Sequence, residues 1–357
     1  MAITRKPIGQ QVLVITGATS GIGLTTARMA AREGARLVLF ARNEEQLRTL
    51  GEEIRSRGGE AVWVAGDVAD PGALERLASA AIEAFGGFDT WVNNAGVSIY
   101  GRLDEVPLHE KRRLFDVTFW GVVHGCRAAL PHLRERGGVI INIGSIVSER
   151  AMPLQGMYSA AKHAVKGYTE ALRMELEQAK VPVAVTLIKP TAIDTPFINH
   201  ARNHLSSAPK LPAPVYAPET VARAILACAV RPRRDVLIGG GAKAISLMEK
   251  AMPRATDMVM EKTMFAAQES GEQRPQEDAL FNTPAQEGEQ RSGRARMVQP
   301  RSLYTDAALH PLASLALAAG VGLLGWGLWS STARTRSRAW RDYTRRATVL
   351  GEPEIVV

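Results

Sequence analysis

The chain has 357 residues, enough for two domains or for one α/β domain with appendages, and enough to bury a substantial core. Its net charge of +8 comes from arginine-rich segments with no stacking aromatics interleaved among them, which argues against nucleic-acid binding. Cys126 and Cys228 are the only cysteines, which excludes a disulfide framework and fits a reducing compartment.

No apolar signal region precedes the first apolar run, so the N-terminal half is expected in the cytoplasm. From residue 12 to about residue 240, short apolar runs alternate with helical stretches. Val12–Thr16, Arg36–Phe40, Ala61–Ala65, Thr90–Asn93, Val139–Ile143, Val183–Ile188 and Val236–Ile238 are near-continuously apolar, as strands covered on both faces of a parallel sheet must be. Ile22–Glu33, Glu44–Arg57, Gly72–Phe85, His109–Leu133, Tyr158–Gln178 and Glu219–Val230 have helical periodicity. The alternation predicts an α/β fold: a Rossmann-type, doubly wound parallel sheet of about seven strands, filling residues 1–250.

Composition changes beyond that point. Lys243–Gln268 reads as a Met-rich helix, and Glu269–Pro300 is polar and reads as a flexible linker. The remainder thus divides into a helix and linker over 251–303, an apolar helix over 304–333 and an arginine-rich tail over 334–357.

Thr16-Gly17-Ala18-Thr19-Ser20-Gly21-Ile22-Gly23 follows the first strand and opens the first helix. Glycines let backbone turn tightly and approach a pyrophosphate, and the helix N-terminus offers unpaired N–H groups and partial positive charge. Placed between strand and helix, the loop predicts a dinucleotide site. The turn after the second strand then discriminates between cofactors. A carboxylate there would bond the ribose diol of NAD(H); Phe40-Ala41-Arg42-Asn43 has none, and Arg42 can pair with a 2′-phosphate. NADP(H) is therefore expected in preference to NAD(H).

Tyr158 and Lys162 are four residues apart on a predicted helix and so share a face. A free phenol has a pKa of about 10. An ammonium beside it favours the phenolate, making the pair a candidate proton donor and acceptor.

With Thr16–Gly23, Asn93-Asn94-Ala95-Gly96, Ser145 and Tyr158-x-x-x-Lys162 in this order, residues 10 to about 250 resemble the short-chain dehydrogenase/reductase family. The resemblance implies that Tyr158 exchanges a proton with a carbonyl or alcohol oxygen, and that Lys162 lowers the phenol pKa and holds the nicotinamide ribose. It also implies that Ser145 bonds the substrate oxygen. Asp67 in Gly66-Asp67-Val68 matches an adenine-contacting position, and Asn94, Ala95 and Gly96 match the segment lining the cofactor cleft. Pro190, Ile193 and Thr195 fall in a stretch resembling the family's Pro-Gly-x-x-x-Thr nicotinamide segment, with Thr191 replacing its glycine. Thr118 stands where the family usually has an Asn whose backbone carbonyl helps hold a relay water. The family is also commonly homo-oligomeric.

His200 and His204 have metal-compatible spacing but no evident third ligand, so no metal is expected; they fit a lid over the substrate between Pro196 and Tyr216. Met248, Met252, Met258, Met260 and Met264 read as packing residues. Leu312–Trp329 is uncharged and mostly apolar, about 27 Å long as a helix against a hydrocarbon core near 30 Å. Its small residues, Trp326, Trp329 and the following arginines suit a re-entrant or interfacial helix on the cytoplasmic face of a membrane. The expected activity is interconversion of a small-molecule carbonyl and alcohol with NADP(H). The competing expectations are a nucleotide-binding scaffold with little turnover and, behind it, a sugar-nucleotide epimerase or dehydratase.

Overall fold

The structure is a computed structural model that describes residues 6–240, 251–273, 278–283, 287–295, 297–310 and 314. In chain order the strands are β1 (Val12–Thr16), β2 (Arg36–Ala41), β3 (Glu60–Ala65), β4 (Thr90–Asn93), β5 (Ile99–Tyr100), β6 (Gly138–Ile143), β7 (Val183–Pro190), β8 (Ala192–Ile193), β9 (Arg202–Asn203), β10 (Val215–Tyr216), β11 (Asp235–Ile238) and β12 (Val298–Gln299). The helices are α1 (Gly21–Arg32), α2 (Glu44–Ser56), α3 (Pro71–Phe85), α4 (Leu108–Phe115), α5 (Gly121–Arg136), α6 (Gly156–Gln178), α7 (Pro218–Val230), α8 (Pro253–Ala267) and α9 (Leu303–Leu309).

Seven strands form one parallel sheet in the order β11-β7-β6-β4-β1-β2-β3. Its strands are apolar along their length because successive side chains enter two different cores. In β1, Leu13 and Ile15 join Leu24, Leu47 and Ile225 from α1, α2 and α7 on one face. Val12 and Val14 join Leu74, Leu133 and Val165 from α3, α5 and α6 on the other. Helix starts are locally encoded as well. The Asn43 side chain accepts from Gln46 N at 3.0 Å before α2, and Asp70 accepts from Gly72 N at 2.9 Å before α3, where Pro71 takes the first turn.

Two expectations differ from the structure. The helix predicted over His109–Leu133 is α4 and α5 joined by a single π-helical turn, Asp116–Trp120, which carries Thr118. The described part of the predicted linker is not loose chain. Leu280 is fully buried in the core to which α3, α5 and α6 contribute, and the Ser292 hydroxyl and amide both bond Asp194. β12 extends a small sheet, β12-β10-β8, and α9 packs on β11, where Thr305 Oγ1 accepts from Gly239 N and donates to Leu237 O. The first compact unit accordingly runs to Leu309 rather than ending near residue 250. Residues 241–250 of the predicted Met-rich helix, nearly all of Leu312–Trp329 and the arginine-rich tail lie outside the described residues. Among the described residues, no helix is long and apolar enough to cross a membrane.

Candidate active site

The chain segments leaving the C-terminal ends of β1, β2, β4, β6, β7 and β11 line one cleft of about 430 Å³, the crevice where parallel sheets of this kind bind ligands. At one end is the Gly-rich loop. Gly17 has a φ of +66°, and a Cβ there would approach Ala95 Cα to 3.0 Å; a Cβ at Gly23 would lie 2.0 Å from Gly17 O. Asn94 fastens the loop, its Nδ2 donating to Thr16 O at 2.9 Å and Gly17 O at 3.1 Å. Thr16 Oγ1 in turn accepts from the amides of Asn94 and Ala95. These bonds tie the segment after β4 to the end of its neighbour β1 and to the loop that follows it.

Further along the cleft, the buried turn after β6 presents Ser145. Its Oγ accepts from Val147 N at 3.3 Å, and its own amide donates to Ser148 Oγ at 3.2 Å. Ser145 is thus a strand-end cap and a cleft-lining hydroxyl at once. Tyr158 and Lys162 enter from the first two turns of α6, with Lys162 Nζ 5.7 Å from the phenol ring centroid. Lys162 is buried and donates to Ile143 O at 2.7 Å; burial lowers its pKa to about 8. Burial raises the Tyr158 pKa above its ordinary value, and the Ser145 hydroxyl pulls it partly back. Desolvation, rather than the Lys162 ammonium, dominates the Tyr158 phenol, so the direction of its shift is the opposite of the one the resemblance implies.

Thr118 is fully buried, and its hydroxyl accepts from Val97 N at 3.2 Å and donates to Val97 O at 3.1 Å. A side chain that both donates and accepts is what an amide would supply there, so the hydroxyl holds the π-helical turn against the segment after β4. A Cβ at Gly96 would sit 3.9 Å from both Thr118 Oγ1 and Lys162 Nζ, which sets Thr118 directly behind these two lining residues.

The structure brings Gly17, Thr19, Ser20, Gly21, Ile22, Arg42, Asp67, Val68, Asn94, Ala95, Gly96, Ser145, Tyr158, Lys162, Pro190, Ile193 and Thr195 to the lining of the cleft. Gly23 and Thr118 stand behind it. Asp67 is held by Arg113, and its Oδ1 accepts from Ala69 N at 2.9 Å. His200 lies on the cleft wall, whereas His204 Nε2 is 2.6 Å from the buried Glu110 Oε2. The two histidines flank the short strand β9, beyond a 3-10 turn at Pro196–Ile198, rather than sharing one helix face.

Phe197, Leu211, Pro212 and Tyr216 belong to the lid expected over the substrate, whereas the other lining residues named next were not singled out as site residues from the sequence. Tyr100, Met152, Phe197, Leu211, Pro212 and Tyr216 make an apolar wall opposite Ser145, with the Phe197 ring 5.6 Å from that of Tyr158. Met260 and Met264 reach it from α8; their four-residue spacing was the available signal. Ala279 and Glu287 come from the segment read as linker, and the Arg42 guanidinium donates to Ala279 O at 2.7 Å and Phe281 O at 3.4 Å.

Comparison with known proteins gives the family. The sequence profile described as short chain dehydrogenase matches residues 11–206. The uncharacterized oxidoreductase YxnA of Bacillus subtilis (strain 168) is 45% identical over 328 residues, 90% of this chain and 91% of YxnA. The bovine (Bos taurus) dehydrogenase/reductase SDR family member 7B is 34% identical over 245 residues, 66% of this chain and 75% of the relative. A crystal structure of an alcohol dehydrogenase from the archaeon Thermococcus sibiricus, complexed with 5-hydroxy-NADP, superimposes with a TM-score of 0.57 at 27% identity, covering 64% of this chain and 95% of the other. The chain belongs to the short-chain dehydrogenase family of oxidoreductases.

Proposed function

We propose that this protein interconverts a carbonyl and an alcohol using NADP(H), with Tyr158 as the acid and base. The observation that carries the reading is the cleft itself: a Gly-rich loop at one end and Ser145, Tyr158 and Lys162 at the other. The residues fit a dinucleotide, because Gly17 and the backbone around it leave a concavity that a side chain would fill. Arg42 and Thr19 line the cleft where the second-strand turn meets the loop, with Asn43 next along the chain, and these cationic and polar groups suit a 2′-phosphate. The NADP derivative bound by the archaeal alcohol dehydrogenase is in keeping with that choice.

When bound, the nicotinamide supplies or accepts the hydride. Tyr158, neutral at pH 7, gives its hydroxyl proton to the carbonyl oxygen in reduction and takes one in oxidation. Ser145 donates a hydrogen bond to the same oxygen and stabilises the charge that develops there. Lys162, whose depressed pKa lets it gain or lose a proton near neutrality, holds the ribose and returns a proton towards Tyr158. The apolar wall of Tyr100, Phe197, Leu211 and the two methionines favours a substrate whose body is apolar and whose reacting group is its polar end. The proposal extends to a homo-oligomer working at the cytoplasmic face of a membrane, supported by the family and by the apolar run after residue 311.

The test is NADPH oxidation over a panel of ketones and aldehydes by the wild type and Tyr158→Phe. Loss of about two or more orders of magnitude in kcat with NADPH affinity kept is expected. Binding of NADPH without turnover of any carbonyl by the wild type would instead favour a nucleotide-binding scaffold.

A further inference from the structure

The chain beyond α8 returns across the adenosine end of the cleft and attaches there through its backbone. Gly288 N donates to Thr19 O at 3.1 Å, and Gly21 N donates to Glu289 O at 2.9 Å, so the strap is bonded to the Gly-rich loop on both sides of one residue's neighbourhood. Arg42 is bonded to the carbonyls of Ala279 and Phe281, and Arg113 to that of Leu280. Between these attachments Glu287 turns its carboxylate into the cleft, where it lines the same corner as Thr19 and Arg42. Its Oε2 is buried and has no hydrogen-bond partner among the described residues. A buried carboxylate oxygen left unmatched beside a cation is costly unless something donates to it.

We infer that Glu287 is a cofactor-specificity residue, supplied from the far end of the chain, which opposes the 2′-phosphate of NADP(H) and accepts from the 2′-hydroxyl of NAD(H). The inference rests on the reading that Thr19, Arg42 and Asn43 form the corner for the 2′ substituent. Two features of the corner make the opposition physical. A phosphate brings further negative charge next to a carboxylate in a partly desolvated site, where like charges repel strongly. The guanidinium that would offset this is already committed to two carbonyls of the strap and must release or share them. The ribose hydroxyl of NAD(H), by contrast, brings a donor to Oε2 and no charge. Burial holds the Glu287 carboxyl above its ordinary value, against hydrogen bonds from Thr19 and Asn43 and the charge of Arg42, which pull it down. Arg42 and Glu287 thus act in opposite directions on one substituent, and the balance between the two dinucleotides is their difference.

The experiment is equilibrium binding of NADPH and NADH to the full chain, read by nucleotide fluorescence, for the wild type, Glu287→Gln, Glu287→Lys and Arg42→Ala. Binding of 2′,5′-ADP against 5′-AMP repeats the comparison without the nicotinamide. Glu287→Gln is expected to tighten NADPH about tenfold while leaving NADH unchanged or weaker, and Glu287→Lys to shift the ratio further in the same direction. If both variants keep the NADPH-to-NADH ratio within about twofold of wild type, or move it towards NADH, Glu287 does not set specificity. Arg42→Ala separates the two failures. NADPH weakened by Arg42→Ala with no response at Glu287 overturns this inference alone; NADPH unaffected by Arg42→Ala overturns the 2′-phosphate corner on which it rests.

Discussion

Replacing Gly23 by alanine tests the architecture of the cofactor end most directly. The added Cβ would sit 2.0 Å from Gly17 O and 2.7 Å from Asn94 Nδ2, far inside any contact that real Cβ atoms make. Relief requires the carbonyl of Gly17 to retreat by about 1 Å, the scale of displacement that costs about a hundredfold where groups must meet a ligand in register. That same carbonyl accepts from Asn94 Nδ2, so the retreat also strains the bonds that hold the loop to the end of β4. Overpacking of this kind costs about 1–3 kcal/mol of stability. Thermal unfolding followed by circular dichroism should fall by roughly 2–4 °C per kcal/mol for a domain of this class. Cofactor fluorescence titration should give a Kd raised about a hundredfold. An unchanged melting temperature together with a Kd within about twofold of wild type would refute the claim that close backbone approach shapes this loop.

Three further outcomes follow from the structure. Asn142 accepts from Asn93 Nδ2 at 2.8 Å and donates to Thr169 Oγ1 at 2.9 Å in a fully buried chain of amides and hydroxyls. Asn142→Leu should cost about 1–3 kcal/mol in urea denaturation by leaving the Asn93 amide underbonded, and a loss below about 0.5 kcal/mol would show that the network relaxes. Lys162 has a folded-state pKa of about 8 against an ordinary 10.5. Below pH 8 the native state carries the full penalty of a buried ammonium; between 8 and 10.5 the unfolded chain binds the proton and the native chain does not, so stability rises with pH there. The stabilisation of Lys162→Met relative to wild type should therefore be largest below pH 8 and shrink towards pH 10.5, and a difference independent of pH would contradict the depressed value. For the C-terminal run, membrane fractionation of the full chain against a form ending at Leu309 should leave only the shorter one wholly in the supernatant. Equal recovery of both would end the membrane proposal.

The seven sheet strands were legible because each is sandwiched between two cores, so nearly every side chain in it is apolar. The loop, Ser145, Tyr158 and Lys162 were legible because their chemistry depends on side-chain identity, or on its absence, at fixed spacing. The strap was not, and its mode of attachment explains why. Arg42, Arg113, Thr19 and Gly21 meet it at backbone carbonyls and amides of Ala279, Leu280, Phe281, Gly288 and Glu289. Contacts made by main chain leave no periodicity in the sequence, and a polar run anchored by one buried leucine has the composition of a linker. The π-helical turn at Thr118 was hidden for a related reason: one residue's change of helical register alters no composition. The upward direction of the Tyr158 shift was not legible because spacing reveals the ammonium nearby but not how much water is excluded from both groups.

The pairing of β12 with β10, and the seating of α9 on β11, have a bearing on biosynthesis. Chains are made from the N-terminus, and domains begin to fold as they emerge. A nascent chain that has just completed β11 possesses every strand of the main sheet together with Ser145, Tyr158 and Lys162. It still has β10 with an open edge, Thr305 not yet delivered to Leu237 and Gly239, and the Gly-rich loop without its contacts to Gly288 and Glu289. The last stretch of the first unit to be translated is therefore the one that seals the nucleotide end. Loading of the dinucleotide before that stretch arrives meets a different surface from loading afterwards.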